Sequence, residues 1–327
     1  MSKRLTAEQT ARLLMEQDRI LILTHQFPDG DTLGSGFALC QALQSLGKAA
    51  RVACSDPYPE KYAYMIEGIP QPEFTPAFIC AVDVADPKLL GELQLPYEGR
   101  IDLCIDHHTS NREYAAYLLL DGDCAATALL ITDVIAALGV ELTRPLATCL
   151  YTAVATDTGC FKYGNTSARA HRLAAAYMDC GIDFDRINRE MFDIKSRARV
   201  ELERMALETM TFYYEGRCAV MIITGDMIAR SQAGENDMEG LAPMPRQIEG
   251  VWVGVTMRQR ADGRYKVSVR TGTHADASAI CTLLGGGGHV RAAGCTLEGT
   301  AEEAIPAILA AVQQAVPAIT DHRAPHR

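Results

Sequence analysis

Short apolar runs that alternate with helical patterns are the feature that most constrains how this chain folds. Three of these runs, at residues 19–24, 78–82 and 101–105, are almost continuous in apolar side chains. A continuous apolar run suits a strand that is covered on both faces, as in a parallel sheet. A helical pattern at 33–46 lies between the first two runs, another at 125–138 follows the third, and each ends at a glycine. The alternation therefore predicts an α/β fold in which helices flank a mostly parallel, Rossmann-like sheet.

The length of the chain, 327 residues, predicts two domains, because single hydrophobic cores stop growing at roughly 250–300 residues. A long, charge-rich helical pattern covers residues 187–213, and a second set of strands and helices follows it. We therefore predict a catalytic domain at 1–190, a helical connector at 191–211 and a smaller α/β domain at 212–327.

Composition excludes several classes of protein. The net charge of −10 argues against broad electrostatic binding of long duplexes, although it is compatible with small anionic substrates. The sequence contains no run of about 18 uncharged apolar residues, so we predict no membrane span. The first residues form an amphipathic helical pattern, which differs from the apolar core of a signal peptide. The 11 cysteines show no C-x-x-C spacing, which favours reduced thiols. We expect a cytoplasmic protein with no membrane partner.

Side chains that commonly bind metals follow each of the three apolar runs. The carboxyl ends of parallel strands meet at one edge of a sheet, where open α/β proteins place their ligands. A fourth candidate segment ends the helical pattern at 146–155. The converging side chains are His25, Asp29, Asp31, Asp83, Asp106, His107, His108 and Asp157.

This convergence predicts a metal centre. A lone aspartate at a strand end is usually a cap or turn residue, and we assign Asp86 and Asp102 to that class. Several carboxylates packed together would cost several kcal/mol through desolvation and repulsion, and two divalent cations would relieve that cost. Imidazole and carboxylate ligands without a thiolate favour Mn²⁺, with Mg²⁺, Co²⁺ or Fe²⁺ as alternatives. Two ions about 3.5–4 Å apart suit phosphoryl hydrolysis by a bridging hydroxide.

A glycine run in the second half predicts a site for an anion. Residues 285–288 are all glycine and His289 follows them, so a loop here could bring backbone N–H groups close to a phosphate. Arg270 ends the preceding strand, and a guanidinium binds phosphate through two parallel hydrogen bonds. Arg246 is a second candidate. The alternatives are a flexible linker for the glycine run and an ordinary solvated arginine at position 246.

The same residues resemble the DHH phosphoesterase superfamily. Residues 25–35 match its first motif, H-x-x-P-D-x-D-x-x-G-S, and residues 106–111 match its third, D-H-H-x-x-N. Asp83 and Asp157 match the second and fourth motifs. Residues 286–294 match G-G-G-H-x-x-A-A-G, the mark of the DHH-associated domain. The resemblance covers nearly the whole chain and implies an active site in a cleft between the two domains.

The resemblance implies a role for each matching residue. One metal would be held by His25, Asp29 and Asp83, and a second by Asp31, Asp83, His107 and Asp157, so that Asp83 bridges both. His108 would contact the phosphate and protonate the leaving oxygen, and Asp106 would orient the adjacent histidine. The expected catalytic residues are therefore Asp83, Asp106 and His108. The expected substrate contacts are Asn111, Arg112, Arg246, Arg270, Gly286, Gly287, Gly288 and His289.

Within the superfamily, the chain resembles the oligoribonucleases that also act as phosphatases on 3′-phosphoadenosine 5′-phosphate (pAp). The resemblance implies hydrolysis of oligonucleotides from dinucleotides to about pentamers and of mononucleotide bisphosphates, by a homodimer. One alternative is a soluble phosphodiesterase for cyclic di-AMP or pApA. A catalytically silent nucleotide-binding regulator is disfavoured because no metal ligand is missing. An exonuclease for long single strands is disfavoured by the 6% aromatic content, and a family II pyrophosphatase by the glycine-histidine motif.

Overall fold

A computed structural model describes residues 2–238 and 240–320. The end of the predicted second domain, 321–327, lies outside the described residues. Contacts within the chain divide it into an N-terminal unit, Met1–Ile194, and a C-terminal unit, Lys195–Arg327. Among the described residues, no helix combines the length and the apolar character that crossing a bilayer requires.

The N-terminal unit contains a six-stranded sheet in which every pairing is parallel. The strand order is β1-β6-β5-β4-β2-β3, so β2, β4 and β5 lie side by side. This sheet confirms the predicted α/β fold. The strands are β1 (Lys3–Arg4), β2 (Ile20–Leu23), β3 (Ala50–Ala53), β4 (Phe78–Val82), β5 (Leu103–Asp106) and β6 (Tyr117–Leu120).

Hydrophobic cores on both faces of this sheet explain its continuous apolar strands. Ile22 and Val82 belong to the core that contains the longer helices, whereas Leu23 and Ala81 face a smaller core that includes Leu90. The helices are α1 (Ala7–Met15), α2 (Gly30–Ser45), α3 (Ala63–Ile66), α4 (Gln94–Tyr97), α5 (Thr127–Ala137), α6 (Arg144–Asp157), α7 (Ala168–Asp179) and α8 (Phe184–Asn188).

Glycines allow α2 and α6 to pack closely. A Cβ atom on Gly34 would lie 2.4 Å from the carbonyl oxygen of Cys149, and one on Gly30 would lie 2.3 Å from Oγ1 of Thr156. Real side chains do not tolerate these distances, so both positions require glycine. The close approach matters because α2 carries Asp31 and α6 ends at Asp157.

Gly34→Ala therefore lowers the free energy of unfolding by about 1–3 kcal/mol, the usual cost of overpacking a tight contact. Urea denaturation followed by circular dichroism measures the change. Gly164→Ala is the matched control, because nothing lies within 4 Å of its added Cβ. Equal stabilities of the two variants would show that the α2–α6 contact is not tight.

The C-terminal unit contains a mixed six-stranded sheet of order β11-β12-β10-β9-β8-β7, in which β8 and β9 are parallel and the other pairs antiparallel. The strands are β7 (Thr211–Tyr213), β8 (Cys218–Ile223), β9 (Val253–Gln259), β10 (Tyr265–Thr271), β11 (Gly287–His289) and β12 (Ala292–Leu297). The helices are α9 (Arg197–Glu208), α10 (Gly225–Ser231), α11 (Ala277–Thr282) and α12 (Ala301–Ala315).

The long helical pattern at 187–213 is not one helix in the structure. A π-helical turn at Arg189–Asp193 gives way to extended backbone at Ile194, and Ser196 then caps α9 by accepting from the N–H of Arg199. α9 packs Leu202 onto the C-terminal sheet. Most of the segment predicted as a connector thus belongs to the C-terminal unit, and the division into functional domains stays a prediction.

The glycine run also differs from the expected loop, because Gly287–His289 forms the edge strand β11. A Cβ atom on Gly286 would lie 2.2 Å from the carbonyl oxygen of Gly294, and one on Gly288 would lie 2.6 Å from Cα of Ala293. The structure therefore requires glycine at 286 and 288 for close approach to β12, independently of any ligand.

Candidate active site

The predicted metal-binding residues of the N-terminal unit converge at the carboxyl ends of three adjacent strands. His25 follows β2, Asp83 directly follows β4, and Asp106 ends β5. α6 brings Asp157 to the same edge, where its Oδ2 lies 3.4 Å from Nε2 of His107. The structure thus places side chains from four segments in one cluster.

Asp83 lies at the centre of this cluster. Its Oδ2 is 3.7 Å from Nε2 of His25, and its Oδ1 is 3.7 Å from Nε2 of His107. Thr127 fixes the carboxylate, because its hydroxyl donates to Oδ1 at 2.7 Å. The backbone of Asp83 is left-handed, with φ of 62°, a conformation that aspartate and asparagine adopt more readily than most residues. The two oxygens of one buried carboxylate therefore face two different histidines.

Backbone carbonyls hold both of these histidines in one orientation. Nδ1 of His25 lies 2.8 Å from the carbonyl oxygen of Gln26, and Nδ1 of His107 lies 3.0 Å from that of Cys124. A carbonyl only accepts, so each Nδ1 carries a proton and each Nε2 is the ring nitrogen left to bind a metal. Both Nε2 atoms face carboxylates of the cluster, the arrangement that a metal-binding histidine needs.

The start of α5 holds Asp31. Its carboxylate accepts from the backbone N–H groups of Thr127, at 2.7 Å, and Ala128, at 3.1 Å. The hydroxyl of Ser35 adds a third hydrogen bond of 2.9 Å. A helix N-terminus favours an anion, which allows a fully buried carboxylate at this position.

Candidate ligand atoms fall into groups that could each hold a metal ion. One group is His25, Asp29 and Asp83; another is Asp31, His107 and Asp157; a third is Asp83, His107 and His108. Within each group the ligand atoms lie within 4.8 Å of one another. The first group contains the residues predicted for one metal, and the second contains three of the four predicted for the other, without Asp83. The division of the ligands between two ions stays a prediction.

The electrostatics of the cluster fit cationic ligands. Burial, followed by the nearby Asp83 and Asp157, raises the pKa of Asp31 well above its usual range. Burial and neighbouring carboxylates likewise raise the pKa of Asp83, and they raise that of Asp157 to about 7. Burial opposes protonation of His25, but Asp29 and Asp83 outweigh it and raise its pKa to about 9. Clustered carboxylates therefore gain protons unless other positive charge is present, and divalent cations would supply that charge.

Asp106 contacts His108, the histidine that follows His107. Its Oδ1 lies 2.7 Å from Nδ1 of His108, and its Oδ2 accepts from the amide of Asn111 at 2.6 Å. Burial opposes ionisation of Asp106, yet these hydrogen bonds lower its pKa. The contact with Asp106, against the opposing effect of burial, raises the pKa of His108 to about 9. Asp106 thus orients the ring of His108, whose side chain is 43% exposed.

The two predicted substrate contacts of the N-terminal unit, Asn111 and Arg112, differ in their surroundings. The amide of Asn111 binds Asp106, so the structure gives it an orienting contact. Arg112 is 72% exposed, with Nε 3.4 Å from Oδ2 of Asp86. Sequence reasoning missed Thr127, which contacts both Asp83 and Asp31. Its only signal was its place at the start of a predicted helix.

The predicted phosphate-binding arginines lie in the C-terminal unit. Arg270 is half-buried, its guanidinium donates to the carbonyl of Val269, and burial lowers its pKa. The backbone of Arg246 lies on Gly254, whose added Cβ would be 2.4 Å from its nitrogen, and Gly254 pairs with Arg270 in the sheet. Nε of Arg246 is buried and has no hydrogen-bond partner in the described part of the chain. Both arginines lack a carboxylate partner among the described residues.

The motif predicted as an anion loop has mixed exposure. Gly287 and His289 are exposed, and an added Cβ on Gly287 would meet nothing within 4 Å. Gly286 and Gly288 face β12. Gly287, Gly288 and His289 are all exposed, so these three residues of the segment are open to a ligand.

Comparisons with known proteins support the resemblance. The profile of the DHH family, N-terminal domain, matches residues 19–154, and that of the DHHA1 domain matches residues 218–318. The chain is 33% identical to the bifunctional oligoribonuclease and PAP phosphatase NrnA of Thermus thermophilus, over 90% of this chain and 89% of the relative. It is 23% identical to the probable enzyme of that name from Streptococcus mutans, over 87% and 91%.

A solved structure shows the same fold. The exopolyphosphatase-related protein from Bacteroides fragilis superposes with a TM-score of 0.87 and 23% identity, covering 96% of this chain and 97% of that one. At this identity the likeness concerns the fold alone.

Proposed function

The chain belongs to the DHH family, as a phosphoester hydrolase with a DHHA1 domain, and on that premise we propose that it hydrolyses short oligoribonucleotides and pAp. Similarity to an oligoribonuclease and PAP phosphatase along nearly the whole chain supports this choice of substrates. The observation that carries the chemistry is the buried Asp83 carboxylate, whose two oxygens face the ring nitrogens of His25 and His107. A homodimer and a cytoplasmic location, both expected from the sequence, are part of the proposal.

We assign the metal ligands as the sequence predicts them. His25, Asp29 and Asp83 would hold one divalent cation, and Asp31, Asp83, His107 and Asp157 would hold a second. Such cations, which we propose to be Mn²⁺, lower the pKa of water and offset the charge that develops on phosphoryl oxygens. The donor set fits divalent cations because it combines imidazole nitrogens with buried carboxylates. Burial and neighbouring carboxylates raise the pKa values of Asp31, Asp83 and Asp157, and bound cations would stabilise their ionised forms.

The protein groups supply orientation and a proton. Asp106 holds Nδ1 of His108, so we propose that the partly exposed ring protonates the leaving oxygen of the scissile phosphoester. Asn111 holds Asp106 in turn and acts as a positioning residue. Thr127 fixes the bridging carboxylate of Asp83. Arg112, exposed beside this cluster, stays our candidate for a substrate contact.

The C-terminal unit, in this proposal, binds a phosphate of the substrate that is not being hydrolysed. Arg270 pairs with Gly254 in the sheet, and the turn that carries Arg246 packs on the same Gly254. Neither arginine has a carboxylate partner in the described part of the chain. A partly buried guanidinium without a counter-ion loses hydration, and a phosphate would satisfy its donors, including the buried Nε of Arg246, through charge-assisted hydrogen bonds. The exposed residues of the edge strand β11, Gly287, Gly288 and His289, complete the proposed phosphate contacts together with the partly buried Gly286.

Arg246→Gln is expected to raise KM for pAp by about 10- to 150-fold, because a hydrogen bond to a charged group contributes about 1.5–3 kcal/mol. kcat should change little, since the metal ligands are untouched. Arg264→Gln is the matched control: Arg264 is an exposed arginine in the turn between β9 and β10 that already pairs with Asp262 at 2.7 Å. Initial-rate kinetics measure both variants. An unchanged KM for Arg246→Gln would contradict a phosphate contact by Arg246.

The proposal is tested by assaying four substrates side by side with Mn²⁺: an RNA dinucleotide, pAp, cyclic di-AMP and pyrophosphate. We expect hydrolysis of the first two. Preference for cyclic di-AMP would favour the cyclic-dinucleotide alternative, and activity on pyrophosphate alone would overturn the proposal. Binding of nucleotides without hydrolysis would indicate a silent regulator.

A further inference from the structure

An exposed aromatic side chain lies within the segment that carries the first metal ligands. Phe27 stands two residues after His25 and two before Asp29, and it is 80% exposed. Its backbone is left-handed, with φ of 52°. A bulky residue in this conformation is a true outlier, and such strain concentrates at functional sites. Phe27 therefore combines two unfavourable features: a strained backbone and an apolar ring in water.

The surrounding backbone is held firmly. The N–H of Phe27 donates to Oδ2 of Asp56 at 2.7 Å, and the N–H of Gln26 donates to the carbonyl of Leu89 at 2.6 Å. On the other side, Pro28 is buried and Asp29 caps α2. These contacts fix the strained conformation and direct the ring to the surface, so the exposure of Phe27 is a property of the folded loop.

We propose that Phe27 is the platform on which a nucleobase of the substrate stacks. This inference rests on the proposed function, because it requires a substrate that contains a base. An aromatic ring stacks on the face of any base, which suits an enzyme that takes short oligonucleotides irrespective of sequence. Because Phe27 shares its loop with His25 and Asp29, a base on this ring belongs to a nucleotide adjoining the scissile phosphate.

Substitutions of Phe27 distinguish aromatic stacking from the effect of side-chain volume alone. Loss of one base–aromatic contact should raise the dissociation constant for a hydrolysis-resistant phosphorothioate dinucleotide by about 5- to 150-fold in Phe27→Ala. Phe27→Trp should retain wild-type affinity, while Phe27→Leu should behave like Phe27→Ala. Leu95→Ala, at an apolar residue of the same unit that is 81% exposed, is the control and should bind normally. Isothermal titration calorimetry measures each constant.

Two further measurements exclude a purely structural role. Phe27→Gly should bind weakly yet melt at or above the wild-type temperature, because glycine accepts the left-handed backbone without strain. Ribose 3′,5′-bisphosphate, which lacks a base, should be hydrolysed equally by wild type and Phe27→Ala.

Full affinity in Phe27→Leu, or an equal loss of activity on the substrate without a base, would overturn the stacking role while leaving the proposed function intact. Wild-type protein that neither binds nor hydrolyses any nucleotide would overturn both.

Discussion

Asp83→Asn is expected to lower kcat for an RNA dinucleotide by at least about 10³-fold, because metal-assisted charge stabilisation contributes several kcal/mol and each 1.4 kcal/mol is a factor of ten. The substitution removes the negative charge of Asp83, which faces both His25 and His107. Asparagine preserves the fold, since it tolerates the left-handed backbone and its oxygen can still accept from Thr127. Single-turnover kinetics at saturating Mn²⁺ measure the chemical step.

Asp102→Asn is the matched control for this variant. Asp102 directly precedes the first residue of β5, whereas Asp106 is the last residue of that strand. The carboxylate of Asp102 accepts from the N–H of Ile79 at 2.8 Å. Asparagine can make that hydrogen bond, so activity should stay at the wild-type level. Near-wild-type kcat in Asp83→Asn, with unchanged circular dichroism, would remove the bridging role from Asp83.

The sequence predicted the sheet and the convergence at its edge because both depend on short-range patterns. Continuous apolar runs identify buried parallel strands, and the residues that follow such strands must meet at one edge. The sequence alone does not show what holds these residues. Thr127 lies 96 positions from Asp31, and only the packing of α5 against the sheet edge brings its N–H to that carboxylate.

The two segments that differ from expectation show why local pattern was insufficient. Glycine favours loops, yet residues 287–289 form a strand because the absence of side chains at Gly286 and Gly288 lets the chain approach β12. The helical pattern at 187–213 is interrupted at Ile194, and Ser196 begins a new helix by capping it. A serine in a charged helical pattern is compatible with either a continuous helix or a cap, and tertiary packing decides between them.

Removal of divalent cations with EDTA is expected to abolish hydrolysis and to lower the melting temperature of the N-terminal unit. A ligand at 100 times its dissociation constant stabilises the folded state by about 2.7 kcal/mol. For a unit of this size, that corresponds to a shift of roughly 5–10 °C. The physical reason is that Asp31, Asp83 and Asp157 are buried beside other carboxylates: burial first, and then neighbouring negative charge, raises the pKa of each, and bound cations would offset both effects.

Differential scanning calorimetry with EDTA and then with added Mn²⁺ measures this shift independently of turnover. Asp83→Asn should show a much smaller response to Mn²⁺, because it loses the carboxylate common to both ligand sets. Its metal-free form should melt no lower than the metal-free wild type, since a neutral amide removes one of the repelling buried charges. Asp102→Asn should keep the full response. A melting temperature that is insensitive to EDTA and Mn²⁺ in the wild type would contradict a metal centre at this sheet edge, whatever the activity of the preparation.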